Sequence, residues 1–169
     1  MSIEDELLRL ARDRERKSQD TLDAMLLERP DRLGRQLRAY LSRQADHGRM
    51  KHTNEKIPAF ATIGGGVSEL ACPQAEFSSG SRLTFKVQAA EEQRGWLVKR
   101  FQFHLHLPAT RRIRMVRIHL NEISSHDPLA VPRCHMHIAD SEAHVPFPIM
   151  DPRLILYLIC EHIEPDFGT

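Results

Sequence analysis

The chain has 169 residues, a formal net charge of +1, 41% hydrophobic and 28% charged residues, enough to bury a single core of ordinary soluble character. A charge so near zero excludes a grip on nucleic acid by net charge alone, so any such contact must come from a local patch. The longest apolar run, Leu154 to Cys160, falls far short of the ~20 residues of a membrane helix, and Met-Ser-Ile-Glu-Asp-Glu does not read as a signal peptide, so a cytoplasmic protein with no membrane partner is expected.

In chain order, residues 1–46 read as a helical arm, 47–81 as an irregular linker region and 82–169 as a histidine-rich sheet with a closing helix, all within one compact domain. The spacing of Ile3, Leu7, Leu10 and Ala11, then Leu22, Met25 and Leu26, predicts a helix over 3–27. Pro30 ends it, and Asp31 is placed to cap a second helix with Leu33, Leu37, Tyr40 and Leu41 on one side. This pair is expected either to pack on the sheet or to serve a protein partner or a homodimer through residues 3–45. Its arginines alternate with Glu and Asp, the mark of a solvated face. Beyond it, Ala59 to Ile63 reads as a short strand, Gly64-Gly-Gly66 as a flexible turn without the Gly-Lys-Ser/Thr of a phosphate loop, and Pro73 to Gly80 as a loop. The cysteines, Cys72, Cys134 and Cys160, are odd in number and widely spaced among apolar residues, and read as reduced, buried thiols.

Four segments then alternate apolar with polar residues, the period of a strand with one buried face. They are Arg82 to Gln88, Trp96 to Leu107, Ile113 to Asn121 and Arg133 to Asp140, joined by the turns Glu91–Gly95 and Pro108–Arg112 into an antiparallel meander. Leu97, Phe101, Phe103, Leu105 and Leu107 are expected on one face, with Val116, Ile118 and Leu120, then Cys134, Met136 and Ile138. The opposite face then collects His104, His106, His119, His135 and His137, five of the ten histidines, with Arg100, Arg117, Arg133, Lys86 and Trp96. Parity places His104 beside Met115 or Arg117, and His106 or Gln102 beside His119. Asp151 then caps a helix with Pro152 in its first turn and Leu154, Ile155, Leu158, Ile159 and Ile163 following, set to lie across the inner face. The expected fold class is therefore α+β: an antiparallel meander of four or more strands, a C-terminal helix on its inner face and an N-terminal helical pair.

Two chemistries suit such a face. Histidine titrates near neutrality, so His104, His106, His119, His135 and His137 can supply an acid and a base, with Arg117 steadying negative charge and Arg100, Arg133 and Trp96 holding a phosphodiester or nucleotide, RNA included. Alternatively, His104, His106, His135 and His137, two His-x-His pairs on neighbouring strands, can hold a divalent metal such as zinc, with Glu122, Asp127, Asp140 and Glu142 as nearby carboxylates. An antiparallel sheet also keeps a wet face on which His, Arg, Gln and Asn are ordinary residues, and such a face serves protein interaction as readily as catalysis.

The run of hairpin, His135-Met-His137, short acidic connection and closing helix, covering about 95–163, resembles the small toxin components of bacterial toxin–antitoxin modules of the TumE type. Val131-Pro-Arg-Cys134 stands where those toxins carry a Gly- and Lys-rich lead-in. The resemblance implies a bacterial RNase-like hydrolase of a toxin or defence system. His135-Met-His-Ile138 with Val145-Pro-Phe-Pro-Ile-Met-Asp-Pro152 is also similar to bacterial proteins of unassigned function.

Overall fold

In the computed structural model, residues 9–10, 13, 17, 26–27, 29–51, 59–64, 66–93, 95–121, 133–139, 141 and 143–165 are described. The fold is α+β. Its strands are β1 (Leu26–Leu27), β2 (Ala59–Gly64), β3 (Val67–Glu76), β4 (Arg82–Glu92), β5 (Gly95–His106), β6 (Met115–Leu120), β7 (Cys134–Ile138) and β8 (Val145–Pro146), and its helices are α1 (Pro30–Asp46) and α2 (Pro152–Leu158). The strands from β2 to β8 pair in sequence order, and β1 pairs with the start of β5. Every pairing is antiparallel, as short connections require.

One face of this sheet is the core. Leu83, Phe85 and Val87 of β4, Phe101, Phe103 and Leu105 of β5, Val116, Ile118 and Leu120 of β6 and Cys134 of β7 are all buried, following the expected alternation. Phe85 and Phe103, directly opposed in register, stack with centroids 5.1 Å apart. Over this face lie α1, through Leu33, Leu37 and Leu41, and α2, through Ile155 and Leu156. Gly34 allows α1 to come close, because a β-carbon there would lie 3.1 Å from Leu70 Cδ1 on β3. Arg49, Tyr40 (2.8 Å) and Gln44 (2.8 Å) all donate to the carboxylate of Glu161, binding α1 to the chain that follows α2.

Several expectations are corrected. The 47–81 region is not an irregular linker: it contributes β2 and β3, and a bulge at Pro73–Gln74 interrupts the alternation that would have revealed β3. Helix 3–27 does not run to its predicted end, because Leu26 and Leu27 pair with Leu97 and Trp96. Arg9, Leu10, Asp13 and Lys17 are helical, and the rest of that prediction lies outside the described residues. Pro30 opens α1 instead of separating two helices. Arg29 is the N-cap, and Asp31 sits in the first turn, where it pairs with Arg35 at 2.9 Å and favours the helix dipole. After Leu158 the C-terminal helix widens into a π-helical turn, Ile159–Ile163. Its buried stripe is Ile155, Leu156, Ile159 and Cys160, while Leu154 is 54% exposed. All three cysteines are buried, and none forms a disulfide among the described residues. Among the described residues, no helix is long and apolar enough to cross a membrane.

A second bulge alters the face assignment of β5. Gln88 opposes Arg100 but Ala89 opposes Val98, so Lys99 is the extra residue. Opposed residues share a face, so Val98 joins Phe101 on the core side. Trp96 has the parity of Val98 and packs against the core. It is therefore not on the histidine face, where an unbroken alternation would have put it. Leu97 is buried as well and belongs to the same apolar cluster.

Candidate metal centre

The other face is laid out in rows by the register. One row runs Lys86, Gln102, His119, His135, and the next runs Thr84, His104, Arg117, His137. A third holds Arg82, His106 and Met115. The expected neighbours of the middle hairpin, His104 with Arg117 and Gln102 with His119, are those observed. His135 and His137 project together because they are two residues apart on one strand, and His119 is brought to them from the adjacent strand.

The rings form a continuous cluster. His119 lies 5.4 Å, centroid to centroid, from both His135 and His137, which are 4.9 Å from each other. The Nε2 atoms of His104 and His119 are 2.8 Å apart, a hydrogen bond in which one ring donates and the other accepts. A sixth histidine, His144, stacks edge-on at 4.7 Å from His135 and 4.5 Å from His137. Sequence parity missed it because it precedes a two-residue strand. The signal was the hairpin itself: His135 opposes Pro146 and Met136 opposes Val145, so the next position back along β8 falls opposite His137.

One ligating nitrogen each from His119, His135 and His137 lies within 4.8 Å of the other two. Bonds of 2.0–2.1 Å to a tetrahedral zinc set nitrogen–nitrogen edges of about 3.4 Å, so small side-chain rotations would close the triad on an ion. His135 and His137 are 2% and 6% exposed. Burial, with the charges of His104, His135, His137 and Arg117 nearby, lowers the pKa of His119 to about 3. His104 is lowered by burial and then by His106, Arg117 and His137. His137 is lowered by burial, Arg117 and His144, against a hydrogen bond at the Ser141 backbone that acts the other way. These imidazoles are thus held neutral, the form that binds metal. Nδ1 of His137 and Nε of Arg117 are buried with no hydrogen-bond partner among the described residues.

The remaining predicted site residues divide by location. His106 lies one row beyond His104, so the tight triad uses His119 where the sequence suggested His104 and His106. Arg100 shares the polar face with Lys86, Gln88 and Gln102. Arg133 is 3% exposed and donates from Nε to the Asn121 carbonyl at 3.2 Å, joining the ends of β6 and β7. Lys99 pairs with Glu92. Glu122, Asp127, Asp140 and Glu142 lie outside the described residues. Ala139, two residues after His137, has φ 58°, a left-handed conformation that costs about 1–2 kcal/mol for a residue with a β-carbon. No protein-family model, curated protein or solved structure matches this chain.

Proposed function

We propose that this protein is a histidine-ligated metalloprotein in which His119, His135 and His137 hold a divalent ion of the zinc class, with His104 beside the fourth position. The observation that carries this reading is the convergence within 4.8 Å of three imidazole nitrogens, from buried His135 and His137 and half-buried His119. The depressed basicity of His119 and His137 supports it, since both are available as neutral donors at pH 7 without displacing a proton. Three protein ligands and one open position is the arrangement of catalytic rather than structural zinc. Such an ion would supply Lewis acidity at that position, and His104, whose Nε2 lies 2.8 Å from that of His119, adjoins the triad. Imidazole ligands admit copper, nickel and iron as well as zinc, so the class of metal, not its identity, is proposed.

A second reading rests on the 2.8 Å contact between His104 and His119. Two imidazoles sharing one proton form an acid–base couple that needs no metal, and its substrate would be a phosphodiester or nucleotide, RNA included. Calorimetric titration of metal-free, tag-free protein with zinc separates the two. The metal reading predicts one site per chain, weakened about 100-fold or more in His135→Asn and His137→Asn variants that keep their circular dichroism. Absence of binding in the native chain, together with RNA cleavage in the presence of chelator, would transfer the assignment to the acid–base couple.

A further inference from the structure

We propose that the histidine centre takes an oxyanion, a phosphoryl or carboxylate group of a small substrate, held by Arg117; this deepens the metal reading and rests on it. Three neutral imidazoles contribute nothing to offset an ion of charge +2, and Arg117 stands in the row between His104 and His137, adding a further positive charge. Lys86, the next cation on this face, lies 3.5 Å from Glu69, whose other oxygen accepts from Gln88 at 2.9 Å, so that carboxylate is engaged away from the histidines. Positive charge gathered in a poorly solvated place persists only when an anion completes it.

Arg117 has an unsatisfied donor for that anion. Its Nε is buried without a hydrogen-bond partner among the described residues, so part of its donor fork is held out of water and unsatisfied. A guanidinium in this condition is matched by two oxygens of a phosphoryl or carboxylate group, through paired charge-assisted hydrogen bonds. The rest of the substrate has room alongside. An open groove of about 490 Å³, lined by Ala71, Pro73, Thr84, Lys86, Gln102 and His104, lies across β4 and reaches His104, the cross-strand neighbour of Arg117, a volume in the range of small-molecule sites. Thr84, Lys86 and Gln102 offer hydrogen bonds along it. The occupant therefore carries its anionic head at Arg117 and a polar remainder toward Lys86.

The test uses the full chain loaded with zinc, titrated calorimetrically with inorganic phosphate and, separately, with acetate. Binding of phosphate more tightly than acetate assigns a phosphoryl group, and the reverse order a carboxylate. Arg117→Gln is expected to weaken the preferred anion about 10- to 100-fold while leaving the zinc stoichiometry unchanged. Zinc-loaded native protein that binds neither anion, or an Arg117→Gln variant with native anion affinity, would overturn the assignment. Should that variant fail to fold, Arg117→Lys keeps the charge and loses the fork, and native affinity in it likewise contradicts paired recognition. Should the native chain bind no zinc, the same titrations of the metal-free protein decide: Arg117-dependent anion binding sustains the oxyanion site while the metal reading falls, and no binding removes both.

Discussion

A neutral histidine cluster makes the metal-free protein acid-labile in a window that carboxylates do not control. His119 has an unfolded pKa near 6.5 and a folded pKa of about 3, so between those values the unfolded chain binds the proton more readily than the folded one. Stability is therefore complete above about pH 6.5 and falls as pH drops through the window. At pH 5 the separation from 6.5 corresponds to about 2 kcal/mol, and partial solvent exposure of the ring reduces this to roughly 1 kcal/mol. His104 and His137 are shifted in the same direction and add to the loss. Glu161, whose carboxylate is lowered by its hydrogen bonds with Arg49 and Tyr40, begins to lose its contribution only below its ordinary value of 4.5 and leaves the upper part of the window to histidine. Urea unfolding at pH 7 and pH 5, in chelator, measures the effect. Native protein should lose about 1 kcal/mol more than His119→Asn over that interval. Equal losses, or a native chain more stable at pH 5, would refute the assignment of neutral imidazoles.

Two further substitutions probe the scaffold that holds the site. Glu161→Ala removes the acceptor shared by Tyr40, Gln44 and Arg49 and strands the amide of Gln44, which is only 4% exposed; a loss of about 1–3 kcal/mol is expected by chemical denaturation, and native stability would show the clamp to be inert. Ala139→Gly relieves a left-handed backbone next to β7 and should raise the melting temperature by about 1–3 °C, whereas Ala139→Val should lower it; the opposite order would deny the strain at this turn.

The histidine face was legible because it depends on parity alone. Over Arg82–Gln88, Phe101–Leu107, Val116–Leu120 and Cys134–His137 the apolar residues alternate without interruption, and the register then sets His104, His119, His135 and His137 side by side. What escaped was whatever broke the period or depended on a partner. The bulge at Lys99 is defined only by the register against β4, and that one residue moved Trp96 to the core. The Pro73–Gln74 bulge and small Ala71 and Ala75 disguised β3. Leu26–Leu27 followed a helical spacing, yet their ladder with β5 overrode it. His144 joins the cluster through a hairpin with only two paired residues, too short for alternation to announce. Closeness of the triad is likewise a three-dimensional fact: parity puts five histidines on a face, but the β6–β7 register selects His119, His135 and His137.

The most direct test is the metal content of the chain purified without an affinity tag, by elemental analysis beside a His119→Asn/His135→Asn/His137→Asn variant. The proposed centre predicts about one equivalent of a transition metal, as isolated or after loading with zinc and removal of excess, and loss of that metal in a variant that stays folded. Metal-free native protein after loading, or the same metal content in the triple variant, would contradict it.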